Sequence, residues 1–421
     1  LIDRKQAPVA YPLQKIKFPK FSITDLGGVN NCLLIPYSLQ PIIYFEIILD
    51  GGKITESIPG ISFFGGKMLT EGTKSLTSAE IADSFESLGS YLEIAPGMDN
   101  TSIKLYCLKQ QLAPSLDLLS EILFEPIFDE SEYDHMREVR KENLKQQQAK
   151  NSQLASISFN EKLFGTHHPY GYALKTEDLD RITIDHVKNY YQEVLFNHAK
   201  CVLIGAADDA TMNQIGKIMN KISAVAKANL ASSMQSKTEW GSYFVEKENS
   251  NQASIRVGGF NINRHHPDTH KLKIAMTLLG GFFGSRLMQS IREEKGLTYG
   301  ISSSAAHFKL ASYWTINTEV QRDKTNETLD AIQGEIKKLA TEHCSKQELE
   351  TLKSYMKGNL LSSMDSIFNI GSSYASLWNG GLEIDFIQDL LKTIDSITPT
   401  EISEMIDKHL FQPEQVRLVI H

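Results

Sequence analysis

One order of elements occurs twice along this chain, and such a duplication restricts the fold to two related units placed side by side. In the first half, Thr77-Ser-Ala-Glu80 has the spacing of a capping box, which opens a helix by satisfying two backbone N–H groups reciprocally. Ile81, Phe85 and Leu88 then share a helical face, and Gly89 ends it. Residues 91–95 and Thr101–Leu108 read as strands around the Pro96-Gly97 turn, with Asp99-Asn100 closing the loop. Leu112, Leu116, Leu119 and Leu123 mark a second helix.

The second half repeats this order. A helix carrying Leu287 and Ile291 ends near Gly296, strands begin near Tyr299 and cover 311–320, and Leu329, Ile332, Ile336 and Leu339 form another apolar stripe. The expected fold class is α+β: two homologous domains, each a mostly antiparallel sheet with helices packed on one face. Residues 223–238 are rich in Ala, Ser, Lys and Asn without strong periodicity and read as a linker. The expected domains are therefore 1–222 and 239–421.

Composition removes several classes of function. At 421 residues the chain exceeds what one core usually serves. Its net charge of -8 argues against nucleic acid as the main partner, since phosphate binding needs a basic face. No apolar run approaches the roughly 20 residues of a membrane span. Leu1-Ile-Asp-Arg-Lys-Gln-Ala-Pro8 has no apolar stretch of the kind that directs export, so the cytoplasm is the expected compartment, with the periplasm left open. Cys32, Cys107, Cys201 and Cys344 form no CxxC pair and read as buried free thiols.

Four strings carry a family resemblance. Gly60-Ile-Ser-Phe-Phe-Gly-Gly-Lys-Met-Leu-Thr-Glu-Gly-Thr73 is followed by Phe164-Gly-Thr-His-His-Pro-Tyr-Gly171 and its helix with Tyr190-Tyr191. Then come Cys201-Val-Leu-Ile-Gly205 and, most specific, Leu279-Gly-Gly-Phe-Phe-Gly-Ser-Arg-Leu287 continuing to Ile291-Arg-Glu-Glu-Lys-Gly-Leu-Thr-Tyr299. In this order they resemble the pitrilysin/insulinase zinc peptidases, and in particular the non-catalytic subunit of that superfamily's bacterial two-chain branch. The family's signature is H-x-x-E-H. Its two histidines, one helical turn apart, hold a zinc ion, and the glutamate is the general base for a metal-bound water.

Aligned on the flanking glycines, the first histidine position is Phe63, the glutamate is Gly66 and the second histidine is Lys67. The family's downstream glutamate ligand falls at Asn143, beside Glu142. A phenyl ring has no lone pair for a metal, glycine has no base, and an ammonium repels a dication. The Gly65-Gly66 pair costs a helix about 1 kcal/mol per glycine, so a local distortion is expected there. No cofactor is expected in this chain; the resemblance places zinc in a partner subunit.

Other clusters carry less. His135-Met-Arg-Glu138 is followed by Val139, which breaks the motif, and reads as an exposed helix face. His265, His266, Asp268 and His270 form a denser group that could bind a metal adventitiously. Gly280, Gly281 and Gly284 lack phosphate-loop spacing.

Arg292 and Tyr299 are the candidate substrate-binding residues. Without the resemblance they would read as a solvated helix end and a strand start. The resemblance implies an arginine that donates to a substrate carbonyl and a tyrosine that donates to the developing oxyanion, at a zinc site supplied by the other chain. It therefore implies a heterodimer with an H-x-x-E-H subunit, or a homodimer when the chain is alone, acting on peptides. The competing reading is a structural or interaction protein of this fold with no role in proteolysis.

Overall fold

The computed structural model describes residues 16–26, 31–37, 39–196, 198–225, 236–247 and 250–421. The N-terminal segment 1–15 and most of the expected linker (226–235) lie outside the described residues.

Two sheets follow one plan. The first comprises β1 (Ser22–Asp25), β2 (Asn31–Ile35), β3 (Ile42–Leu49), β4 (Tyr91–Pro96), β5 (Thr101–Leu108) and β6 (Ala199–Ile204), in spatial order β1-β2-β6-β3-β5-β4. The second comprises β7 (Gly241–Val245), β8 (Gln252–Phe260), β9 (Thr298–His307), β10 (Ser312–Gln321) and β11 (Val416–Ile420), in order β7-β11-β8-β10-β9. Each is antiparallel except for one parallel pair, β2 with β6 and β7 with β11. Removing β1 makes the two orders superimposable strand for strand, so the duplication read from the sequence is a duplication of topology. β4 and β9 are the equivalent edge strands.

The helices form where the pattern places them. Thr77 caps the helix Ser78–Ser87 by accepting from Glu80 N–H, with Glu80 bonding back. Leu112–Phe124 and Thr325–Thr341 bury their apolar stripes against their own sheets.

A second layer covers the opposite face of each sheet. In β3, Ile43, Phe45, Ile47 and Leu49 enter the first core while Tyr44 and Ile48 point the other way, the period-two alternation of a strand buried on both faces. That other face is packed by Ile367–Asn379, a helix of the second half, whose Ile370 and Tyr374 join Leu33, Val202 and Ile204. Reciprocally, Asn151–Phe164 from the first half packs Phe159 and Leu163 on Val416 and Leu418 of β11. Each half thus lends a helix to the other, at about 1.5–3 kcal/mol of stabilisation per fully buried large side chain. All four cysteines are buried and free. No helix among the described residues is long and apolar enough to cross a membrane.

Candidate functional site

The segment aligned with the metal motif is the helix Ile61–Lys67. It opens at Gly60, whose φ of 92° is left-handed and favours glycine. The Glu56 carboxylate accepts from Gly60 N (2.8 Å), Ser62 N (3.2 Å) and Ser62 Oγ (2.5 Å), anchoring the first turn. Burial pushes the Glu56 carboxyl up, opposed by those bonds.

The helix is regular α through Gly65 and Gly66 and tightens to a 3₁₀ turn only at Met68–Thr70, so the expected distortion at the glycine pair does not occur. Packing explains it. A Cβ on Gly65 would stand 2.3 Å from Tyr190 Cδ1, and one on Gly66 would stand 2.6 Å from Pro96 Cγ. The glycines let the helix close onto a tyrosine ring and onto the end of β4, and that contact offsets their conformational cost.

The four degenerate positions are now placed. Phe63 is half-buried, edge-on to Phe64 (centroids 5.3 Å apart), with the Arg140 guanidinium 4.5 Å from its ring centroid. Arg140 comes from the helix Glu130–Gln148, and its Nε is buried without a hydrogen-bond partner among the described residues. The space beside Gly66 is filled by Pro96. Lys67 is half-buried and makes no ion pair among the described residues, and Asn143 is exposed on the helix of Arg140. Zinc does not fit here: a ring, a filled gap, an ammonium and an amide replace the ligand set and its base, and a permanent guanidinium stands over the first position. Among the described residues, no group of three or more His, Cys, Asp or Glu side chains is arranged to hold a metal ion.

Arg292 lies in the π-helical segment Met288–Glu294, marked by the Lys295 N→Ser290 O bond of 3.2 Å. Such wide turns often accompany functional sites. Gly296, with φ 63°, ends the helix. The Arg292 guanidinium lies 4.7 Å from the ring centroid of Phe283, which is 62% exposed. Tyr299 follows in β9. Ile301 pairs with Thr318 and Thr298 with Val320, so β9 carries one extra residue opposite Glu319, a β-bulge at Tyr299-Gly300. Thr298 Oγ1 donates to Glu319 O (2.7 Å), and Thr318 Oγ1 bonds Thr298 Oγ1 (2.9 Å), which pins the bulge. Tyr299 is 95% exposed as a result. No contact joins Arg292, half-buried in its π-helical segment, to Tyr299 on the edge strand among the described residues.

The remaining clusters resolve into structure. Asp268 is taken by Lys408 Nζ (2.6 Å) and His409 Nε2 (3.2 Å), while His265 Nε2 lies 3.1 Å from Gly380 O. His135 is exposed on its helix. His168 is buried, stacks on Phe164 and accepts from Tyr170 N through Nδ1 (3.1 Å), so it belongs to its turn. Gly280 packs against Ser303, where a Cβ would come 2.7 Å from its backbone nitrogen.

No spacing rule pairs Phe283 with Arg292, and Arg140 meets Phe63 only through a contact between elements. Pro96 reads as a turn residue, and its packing against Gly66 is likewise a contact between elements.

Comparison with known proteins agrees with this fold. The profile described as insulinase (peptidase family M16) matches residues 46–171, and that of the peptidase M16 inactive domain matches 181–356. The chain is 25% identical over 415 residues to the non-peptidase homolog YmxG of Helicobacter pylori, covering 93% of this chain and 95% of that one. It is 25% identical over 315 residues to the uncharacterized zinc protease YmxG of Bacillus subtilis, covering 74% and 76%. The structure of the peptidase M16 inactive domain from Pseudomonas fluorescens matches with a TM-score of 0.85 at 22% identity, covering 96% of this chain and 98% of that one. A protease structure from Helicobacter pylori matches at 0.84 and 15% identity, covering 96% and 100%. The chain belongs to the insulinase family, peptidase family M16, as a non-catalytic member.

Proposed function

We propose that this chain is the substrate-binding subunit of a heteromeric zinc metallopeptidase that cleaves peptides, with zinc and general base supplied by an H-x-x-E-H partner. The observation that carries the reading is Tyr299, held rigidly outward on a pinned bulge with its hydroxyl bonded to nothing among the described residues. A tyrosine 95% exposed contributes little to its own fold. Its phenol is free to donate to a charge developing elsewhere, and a preorganised donor of this kind is among the larger contributions to acyl-transfer catalysis. Arg292, resting on Phe283, would hold a substrate carbonyl nearby. The peptide would lie extended along a sheet edge. The division into a 1–222 domain with the degenerate motif and a 239–421 domain with Arg292 and Tyr299 is part of this proposal.

The test is co-expression with an H-x-x-E-H homologue from the same genome, followed by size-exclusion chromatography and a quenched-peptide assay. A stable mixed complex more active than the partner alone supports the reading. No complex, with activity unchanged by adding this chain, refutes it and favours the purely structural role.

A further inference from the structure

A cavity of about 490 Å³ opens between the helix Thr269–Gly280, strand β9 and the helix Ile367–Asn379. Its lining includes Arg264, His270, Lys273, Thr277, Ser304 and His307, and no aspartate or glutamate. Neither Arg264 nor Lys273 forms an ion pair among the described residues. Arg264 donates to Ser376 Oγ (3.0 Å) and faces the Phe386 ring at 5.3 Å. Lys273 Nζ has no hydrogen bond among the described residues, and His270 Nδ1 is buried without a partner. His307 uses Nδ1 toward Ser312 Oγ (3.0 Å), which leaves Nε2 available. Asp389, the carboxylate that acts on His270, is bonded to Lys392 (2.8 Å).

Gathering cations along one cavity without a counter-charge is unfavourable, because each repels the others. The shifts run in one direction, although the side chains of Lys273 and His307 reach solvent. Enclosure, then the Arg264 charge, push Lys273 down. Enclosure, then Arg264 and Lys273, hold His307 at about 4. Enclosure, then Lys273, lower His270, and enclosure lowers Arg264. A chain carrying a net charge of -8 has acids to spare, yet places none here.

We propose that this cavity is a binding site for a small oxyanion, a carboxylate or phosphate group, held by Arg264 and Lys273 with Ser304 as a hydroxyl donor. Arg264 supplies the planar fork that matches two oxygens and Lys273 a point charge, the usual division between these side chains. The site stands apart from Tyr299 and does not depend on the proteolytic reading. A second cavity of about 700 Å³ shares Arg264 and His307 but is also lined by Glu46, Asp50 and Asp99, so the oxyanion itself belongs in the first.

The test is calorimetric titration of the full chain with citrate and, separately, inorganic phosphate at neutral pH. Saturable binding of at least one probe at one site is expected, and the preferred probe tells carboxylate from phosphate. Lys273→Met should weaken it about tenfold or more, the loss from removing a charged hydrogen-bond partner. Ser304→Asp, which builds a carboxylate into the cavity, should raise the melting temperature and abolish the titration. The proposal is overturned if neither probe binds, or if both variants titrate like the unmodified chain.

Discussion

The guanidinium of Arg140 lies 4.5 Å from the ring centroid of Phe63, the residue that aligns with the first histidine of the H-x-x-E-H motif. A guanidinium stays protonated at any working pH, so the metal position is guarded by a permanent charge as well as stripped of ligands. Burial lowers the Arg140 pKa, with the Glu56 carboxylate opposing. Restoring ligands alone should therefore fail. Phe63→His combined with Lys67→His and Asn143→Glu is expected to retain less than about 0.1 zinc per chain after dialysis, because the guanidinium repels the ion that three ligands would otherwise hold. Atomic emission spectroscopy measures this directly, and near-stoichiometric zinc would contradict the account.

The glycine pair is held by contact rather than by any need for flexibility. Gly66→Ala improves helix propensity by about 1 kcal/mol. It also drives a methyl to within 2.6 Å of Pro96 Cγ. Overpacking of this kind costs about 1–3 kcal/mol, so the variant should be less stable in urea unfolding despite the better helix former. A more stable variant would show that β4 yields freely.

The pH dependence of stability should carry a signature of His168. Burial, then the Lys53 charge, hold its imidazole below the ordinary 6.5. As pH falls through 6.5 the unfolded chain takes up the proton first. The contribution of this group is thus fully present above that value and is lost progressively below it, by up to about 1.4 kcal/mol per pH unit. His168→Asn keeps an acceptor for Tyr170 N–H and removes the titration. Urea midpoints measured from about pH 7 to pH 5 should fall less steeply for the variant, since one linked proton is gone. Parallel curves would exclude the histidine as a source of acid sensitivity.

Local rules made much of the architecture legible. The capping box at Thr77 and Glu80 formed as its spacing required, and Thr101–Leu108 is a strand over the residues its alternation marked. Arg292 and Tyr299 are candidates only through the long string that surrounds them. What stayed hidden depends on residues distant in sequence. An apolar stripe on Ile367–Asn379 says that a face is buried, not that it crosses to the first half's sheet. Gly66 shows that a side chain is missing, not that Pro96 occupies the gap. The bulge that turns Tyr299 outward arises from the register between β9 and β10, which neither strand carries alone.

The most direct test of a division of labour is turnover by the reconstituted complex when only this chain is altered. Tyr299→Phe removes one hydroxyl from a side chain 95% exposed, so folding and complex formation should be unchanged. Loss of an oxyanion donor should lower kcat of the mixed complex by about 100-fold, and Arg292→Ala should act in the same direction. That drop, in an intact complex whose zinc content is unaltered, is the predicted result. Equal turnover by Tyr299→Phe and the unmodified chain would contradict the claim that this subunit reaches the partner's active site.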